Sequence, residues 1–430
     1  MRVLHVAQPR DGGVAAYVTA AVADQLARGW DVAVACPPDG RLAADLARTG
    51  VPHRSWPATR GPGRATPGEL RALGRLLRSS RPDVVHLHAA KAGLAGRLHL
   101  RGRIPTLFQP HGWSWLAADG VLRAGSVGWE RAAARWADRL VCVGDEEAAL
   151  GRAARVRGRY AVIRSGVDLQ HFRPAGDAAR RAARARLGVP ARTPLAVCVG
   201  RLTRQKGQDV LLAAWERVAA RCPDARLALV GDGDLLPALL GRAGTGVTFA
   251  GDVTDVRDWL AAADVVTLPS RWEGLPLTAL EAMATGRSVV ASDIPGIAGI
   301  VTARTGALVP PERPTPLADA LLCRLLDLGP ARAEGAAAAL HASGFDARRT
   351  YAELADLTRS VAAPVRSTAT VAAPGPSTVA APGLSTVVAP GPSTIAAPGL
   401  STVVARGPST VVARGPSTVV APGLSTKEAR

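Results

Sequence analysis

RVLHVAQPRDGGVAAYVTAAVADQLARGWDVAVAC, Arg2 to Cys36, reads as one strand–loop–helix–strand unit. RVLHVA is a short apolar run. QPRDGG is a glycine-bearing loop. VAAYVTAAVADQLARG carries apolar residues at helical spacing, and DVAVAC is a second apolar run. Strands of this kind, apolar throughout rather than alternating, are buried on both faces, as in a parallel sheet covered by helices. DVVHLH and LVCVG continue the pattern. It restarts after residue 190 with PLAVCVG, the helix GQDVLLAAWERVAAR, RLALVG, VTFAG, DVVTLPS and SVVAS. The expectation is an α/β chain of two doubly wound, Rossmann-like units, residues 1–165 and 166–345. IRSGVDLQHFRP, with its Gly-Val-Asp turn signal, marks the boundary. Ligands of open parallel sheets bind at the carboxyl ends of strands, so two such sheets predict a site in the cleft between them.

The 430 residues carry a net charge of +18, and only Lys91, Lys206 and Lys427 among the basic residues are lysine. Met1 to Arg164 holds 25 basic and 13 acidic residues, a net of +12, whereas Ser165 to Arg359 nets only +2. Arginine-rich solvated surface explains part of this. The asymmetry also fits an anionic partner for the first half: a membrane surface or a phosphorylated acceptor. No nucleic-acid motif or aromatic-interleaved basic patch is present, which sets nucleic acid aside. Cys36, Cys142, Cys198, Cys222 and Cys323 lie in no metal or C-x-x-C spacing and read as buried thiols of a reducing cytoplasm. MRVLHVAQ reads as a strand rather than a signal peptide, and no run of about 18 apolar residues occurs. From Ser377 an eight-residue unit of the type STVVAPGP repeats; its Pro-Gly pairs and small buriable surface predict a disordered tail over 362–430.

Several loops offer chemistry. Gly12 and Gly13 let a ligand approach the backbone at a helix start that favours anions, or they form a tight turn and nothing more. In GRLTRQKGQD, Arg201 and Lys206 sit in a strand-to-helix loop where two cations can clamp a diphosphate; surface charge is the alternative. Asp232 and Asp234 of GDGDLL read as a turn and helix cap rather than a metal pair. His111, in FQPHGWSW, lies at the lip of a site or serves structure alone. In PSRWEGLPLTALEAMATG, Glu273 precedes a turn, Pro276 suits the first helical turn, and Glu281 falls two turns on, about 10 Å along the axis. That separation is too great for one proton relay. It suits two grips on an extended ligand bearing hydroxyls at both ends, with the amides near Gly274 and Leu275 between them.

Glu273-x7-Glu281, the GRLTRQKG loop, His111-Gly112-Trp113 and Gly12-Gly13, in this order and spacing, resemble retaining glycosyltransferase family 4 on the GT-B fold, over about Met1 to Val361. The resemblance implies two facing Rossmann-like domains, a nucleotide-sugar in the second and an acceptor on the first. The acceptor would be a glycan, a lipid-linked intermediate or a small molecule. Arg201 and Lys206 would then hold the donor diphosphate and Glu281 the ribose hydroxyls. Glu273 with the amides of Gly274 and Leu275 would hold the transferred sugar, His111 would face it near the anomeric carbon, and Gly13 would pack against the phosphates or the acceptor. Gly12 would stand on the acceptor side. Transfer would retain anomeric configuration with no metal and no cofactor beyond the donor, and helix 346–361 would cross back to the first domain. Two positions depart from the family pattern: Ser165 stands where Asn is usual, and Gly299 where Glu is frequent. AAKAGLAGR is similar to segments of polysaccharide enzymes. TPGELRALGRLLRSSRP forms a helix with Leu70, Leu73 and Leu77 opposite Arg71, Arg75 and Arg78, a face able to meet the inner leaflet of a membrane or simply solvent. A sugar-nucleotide epimerase and a non-catalytic scaffold are the competing readings.

Overall fold

The computed structural model describes residues 1–61 and 63–362; the octapeptide repeats and the tail expected to be disordered lie outside these residues. Two parallel sheets organise the chain. The first has seven strands: β1 (Arg2–Ala7), β2 (Asp31–Cys36), β3 (His53–Ser55), β4 (Val84–His88), β5 (Thr106–Gln109), β6 (Arg139–Cys142) and β7 (Tyr160–Val162). Their order is β3-β2-β1-β4-β5-β6-β7. The second has six: β8 (Leu195–Val199), β9 (Arg226–Val230), β10 (Val247–Gly251), β11 (Val265–Leu268), β12 (Ser288–Ser292) and β13 (Gly306–Val309). Their order is β10-β9-β8-β11-β12-β13. Each sheet reverses direction beside its first strand, between β1 and β4 and between β8 and β11. Those switch points open a crevice at the strands' carboxyl ends.

The central strands are buried along their length because both faces are covered. Val84 to His88 and Val265 to Leu268 are wholly inside. The short edge strands β3 and β7 pass unnoticed in the sequence, being three residues each and only partly buried. The helix Gly13–Ala27 covers β1 and β2 with Ala15, Val18 and Val22. The last helix, Ala347–Ala362, returns to the first sheet and packs Leu354 among Tyr17, Ala21, Val84, Leu107, Val141 and Ile163. The chain crosses itself at this return. Val167 N donates to Phe345 O at 2.8 Å, and Ala347 N donates to Val167 O at 3.0 Å. Gly166 is required there, since a Cβ would stand 2.7 Å from the backbone of Ala347. Ser165, the departure from Asn, is buried and is not among the residues with positive φ, so the turn makes no demand that only Asn would meet.

Two expectations are corrected. Cys323 is exposed on helix Pro314–Leu325, although the other four cysteines are buried. The helix after Glu273 begins at Leu277 with Pro276 as its N-cap. Glu281 is therefore the fifth helical residue, about 6 Å along the axis, one turn in rather than two. Among the described residues no helix is long and apolar enough to cross a membrane.

Candidate active site

The loops after β8 and β11 flank the second sheet's switch point, and they carry the predicted ions. Lys206 lies in a single 3-10 turn, Arg204–Lys206, closed by Gly207. Gly207 has φ 67° and leaves no room for a Cβ beside Pro269 O. This close approach brings the two loops together: Lys206 Nζ donates to Glu273 Oε1 at 2.6 Å. Ser270 Oγ donates to the same oxygen at 2.8 Å, and Gln205 Nε2 donates to Oε2 at 3.3 Å. The sequence reading sends Lys206 to the phosphates and Glu273 to the sugar. The fold joins them as one ion pair, which restricts both to a single short stretch of any ligand.

Arg201 behaves differently. Its carbonyl accepts from Gln208 Nε2 at 2.9 Å. Its guanidinium forms no hydrogen bond or ion pair among the described residues. It faces the first domain, with Nε 3.8 Å from where a Cβ on Gly12 would stand. Burial, then the charge of Arg60, lowers its pKa against the opposing charges of Glu273, Asp234 and Asp11, so the site holds a half-buried cation near carboxylates but paired with none among the described residues. Gly12 (φ 79°) thus lies against Arg201, and Gly13 opens its helix against Leu277, the first residue of the Glu281 helix. Glu281 is half-buried, and its carboxylate has no hydrogen bond among the described residues. Burial pushes it up to about 7, against the opposing charges of Arg41 and Lys206. Arg41 itself reaches across the cleft to donate to Thr254 O at 3.0 Å.

Gly274 and Leu275 precede the helix cap, and their amides donate to nothing among the described residues. The first domain meets them here. Gly112 N and His111 C lie 3.0 Å from where a Cβ on Gly274 would stand, and Gly144 approaches Leu275. His111 follows β5 and holds φ 53°, a left-handed conformation costly for a non-glycine residue. Glu147 supports this strained loop. Its buried carboxylate accepts from Gly112 N at 2.5 Å and Val143 N at 2.8 Å, its carbonyl accepts from Trp113 Nε1, and burial raises its pKa to about 7. The sequence reading overlooks Glu147, although DEEAAL at a helix start after the strand LVCVG was a visible signal.

It also overlooks the residues behind His111. His111 Nε2 lies 3.1 Å from His88 Nδ1, His88 Nε2 lies 2.9 Å from His5 Nδ1, and His5 Nε2 lies 2.9 Å from Gln25 Oε1. His5 and His88 come from neighbouring strands β1 and β4, and Gln25 from the covering helix. Burial drives His5 down to about 4 and His111 to about 3 and holds His86 and His88 well below the usual range, so the four rings are neutral.

Asp232 and Asp234 form no ion site. Asp232 Oδ1 accepts from Gly233 N at 2.7 Å, as a turn does, and the following short helix is capped by Leu235 rather than Asp234. Lys91 is withdrawn from any acceptor: it pairs with Glu69 at 2.7 Å in the interior and donates to Gly61 O and Thr66 Oγ1.

The chain matches two family models, "Glycosyltransferase Family 4" over residues 11–171 and "Glycosyl transferases group 1" over residues 193–327. It is 33% identical over 326 residues to alpha-maltose-1-phosphate synthase of Mycolicibacterium smegmatis, covering 69% of this chain and 80% of that protein. The chain belongs to glycosyltransferase family 4. To D-inositol 3-phosphate glycosyltransferase 1 of Catenulispora acidiphila, this family 4 glycosyltransferase is 33% identical over 311 residues, 66% of this chain and 72% of that one. Its fold is GT-B. It superposes on Anabaena HepE, solved with UDP and glucose, with a TM-score of 0.72 at 21% identity, over 84% of this chain and all of that one. Membership decides for glycosyl transfer over the epimerase and scaffold alternatives.

Proposed function

We propose that this enzyme transfers a hexosyl unit from a nucleoside-diphosphate sugar to an acceptor hydroxyl, with retention and with protein cations in place of a metal. The observation that carries the reading is the half-buried Arg201 guanidinium, in no ion pair or hydrogen bond among the described residues, beside the Lys206–Glu273 pair at the switch point of the second sheet. A diphosphate supplies the missing anion, held by the Arg201 fork and by Lys206. Glu281, a carboxylate with no donor among the described residues, accepts from the ribose hydroxyls. Glu273 and the unpartnered amides of Gly274 and Leu275 meet the sugar, with His111 on its other side. Gly13 leaves space for the phosphates, and Gly12 forms the acceptor-side wall.

In the reaction the bond from the anomeric carbon to the phosphate oxygen breaks, and its electron pair leaves on the nucleoside diphosphate. The acceptor oxygen forms the new bond on the same face, and its proton passes to the departing phosphate. Arg201, Lys206 and the loop amides stabilise the charge as it develops. The acceptor is a glycan, a lipid-linked intermediate or a small molecule such as a phosphorylated polyol. The phosphorylated small molecules in the names of both relatives, a sugar phosphate and a cyclitol phosphate, favour the last of these.

The test is nucleotide release from UDP-, GDP-, ADP- and dTDP-sugars. One donor should be hydrolysed slowly without acceptor, the activity disappearing in Lys206→Ala. No thermal shift with any donor would refute the reading, and a strict dependence on divalent metal would refute its metal-free part. Peripheral, cytoplasmic membrane association is a second reading, favoured by exposed Arg71, Arg75 and Arg78 opposite buried Leu73 and Leu77. Absence of binding to anionic vesicles at low salt would dismiss it.

A further inference from the structure

We propose that Gln25, His5 and His88 are positioning residues that fix His111 as the tautomer protonated on Nε2, leaving its Nδ1 as a hydrogen-bond acceptor for the donor sugar. This rests on the reading that His111 faces that sugar.

A neutral imidazole has one N–H donor and one lone-pair acceptor. In a chain of such rings, the direction of every hydrogen bond follows from the direction at one end. Here the end is Gln25, which presents Oε1 and so can only accept. His5 Nε2 therefore carries the proton, and its Nδ1 is an acceptor. His88 Nε2 must donate to that Nδ1, at 2.9 Å, which leaves His88 Nδ1 with its lone pair. His111 Nε2 donates to it at 3.1 Å. Its Nδ1 makes no hydrogen bond among the described residues and remains as the free lone pair.

The surroundings preserve this order. A protonated ring would have two donors and break the chain, and burial keeps all three rings neutral. Successive ring planes lie within 15° and 26° of each other, as a series of in-plane bonds requires. Tyr17 packs on His111 edge to face at 5.0 Å, and Glu147 holds the adjacent amide of Gly112. Orientation and proton position are therefore fixed together, which lets the ring act without rearranging during the reaction.

The ring nitrogens of His5, His86 and His88 also approach within 4.8 Å, a grouping that invites a metal. The hydrogen-bond chain opposes it: both nitrogens of His88 are already engaged, one with His5 and one with His111.

The experiment is imidazole ¹⁵N spectroscopy of the full-length protein at neutral pH. Expected are Nε2–H signatures for His5, His88 and His111, with nitrogen–nitrogen couplings across the His111–His88 and His88–His5 hydrogen bonds. An Nδ1–H or doubly protonated His111 overturns the proposal. So does a set of shifts in His5, His86 and His88 produced by stoichiometric Zn²⁺ and reversed by chelator. Kinetics supply the second arm. His88→Phe keeps the ring volume but no acceptor and should lower kcat roughly five- to tenfold, about one net hydrogen bond, with the donor KM little changed. His88→Asn returns an oxygen near the Nδ1 position and should recover most of the loss. Equal losses in the two variants overturn the positioning role. Unchanged turnover in His111→Gln would instead remove the reading of His111 as a sugar contact, while the spectra still decide the tautomer.

Discussion

The two walls of the cleft are built on the same topology and use opposite electrostatics. Behind the first wall, at the β1–β4 switch point, burial has removed charge: four histidines are neutral, and three of them, His5, His88 and His111, are ordered by hydrogen bonds in series. Behind the second, at the β8–β11 switch point, charge is kept in Lys206, Glu273 and Arg201: Lys206 and Glu273 pair, and Arg201 forms no ion pair among the described residues. Of the first half's net +12, Arg41 and Arg60 act on the charged wall opposite, while arginines such as Arg71, Arg75 and Arg78 are exposed on the helix Thr66–Ser80. Parallel sheets thus fix where the cleft lies, and the side chains of strand ends, helices and loops together decide whether a wall presents charge or neutral hydrogen bonds.

The largest expected effect comes from breaking the charged wall. Lys206→Ala leaves Glu273 mostly buried without its cation, which should cost about 3 kcal/mol, the low end for such a loss because Ser270 and Gln205 still donate to it. Turnover should fall about 10²- to 10³-fold, as when one stabilising group is lost from a developing anion. Chemical denaturation and turnover check both. Lys206→Ala combined with Glu273→Gln should regain the stability without regaining activity. Arg201→Ala is the contrasting case. With no protein partner to abandon, it should leave the melting temperature within about a degree, yet raise the donor KM roughly 10- to 100-fold, the range for a lost charged hydrogen bond. A large fall in stability would mean that Arg201 is held by the fold rather than reserved for a ligand.

A third prediction uses Glu281. Its folded pKa, about 7, is raised above the ordinary 4.5 chiefly by burial. The native state therefore holds a proton that the unfolded chain releases between about pH 4.5 and 7. Stability from this group is fully present below about 4.5, declines as pH rises, and levels off above 7. Glu281→Gln should make the protein about 2–3 kcal/mol more stable at pH 8 and no different at pH 4.5. Donor affinity should fall in the same variant. A parallel pH profile in both proteins would show that Glu281 is solvated.

Much of the contrast was legible beforehand, for identifiable reasons. Long apolar runs such as PLAVCVG and DVVTLPS declared the sheets, because strands covered on both faces tolerate few polar residues. Arg201, Lys206, Glu273 and Glu281 were conspicuous as ions next to glycine or proline in strand-to-helix connections. The neutral wall was hidden by the same logic. In RVLHVA and DVVHLH the histidines looked like interruptions of a strand, and period alone does not tell that His5 and His88 touch. That contact depends on the register between β1 and β4, in which Ala7 pairs with His88, 81 residues further along the chain. The Lys206–Glu273 bond was equally invisible, since it follows from the absent side chain of Gly207 under Pro269. Cys323 was misread because residue type says less about burial on a surface helix than helix phase does.

The smallest effect concerns a place where the walls exchange a residue. Gly299 replaces a frequent family Glu, and the carboxylate of Glu146, from the first domain, fills the volume that a side chain at 299 would need. Glu146 is the flexible, half-exposed end of its side chain, so Gly299→Ala should displace it at a cost of only about 0.5 kcal/mol, ordinary for a surface change. Gly299→Glu is more informative. It sets two carboxylates in one space, and like charges at such range oppose each other. Donor KM should rise a few-fold, and Glu146→Ala added to Gly299→Glu should reverse most of that rise. If the double variant is no better than Gly299→Glu, the two carboxylates do not substitute for one another, and the charged wall ends at the domain boundary rather than borrowing across it.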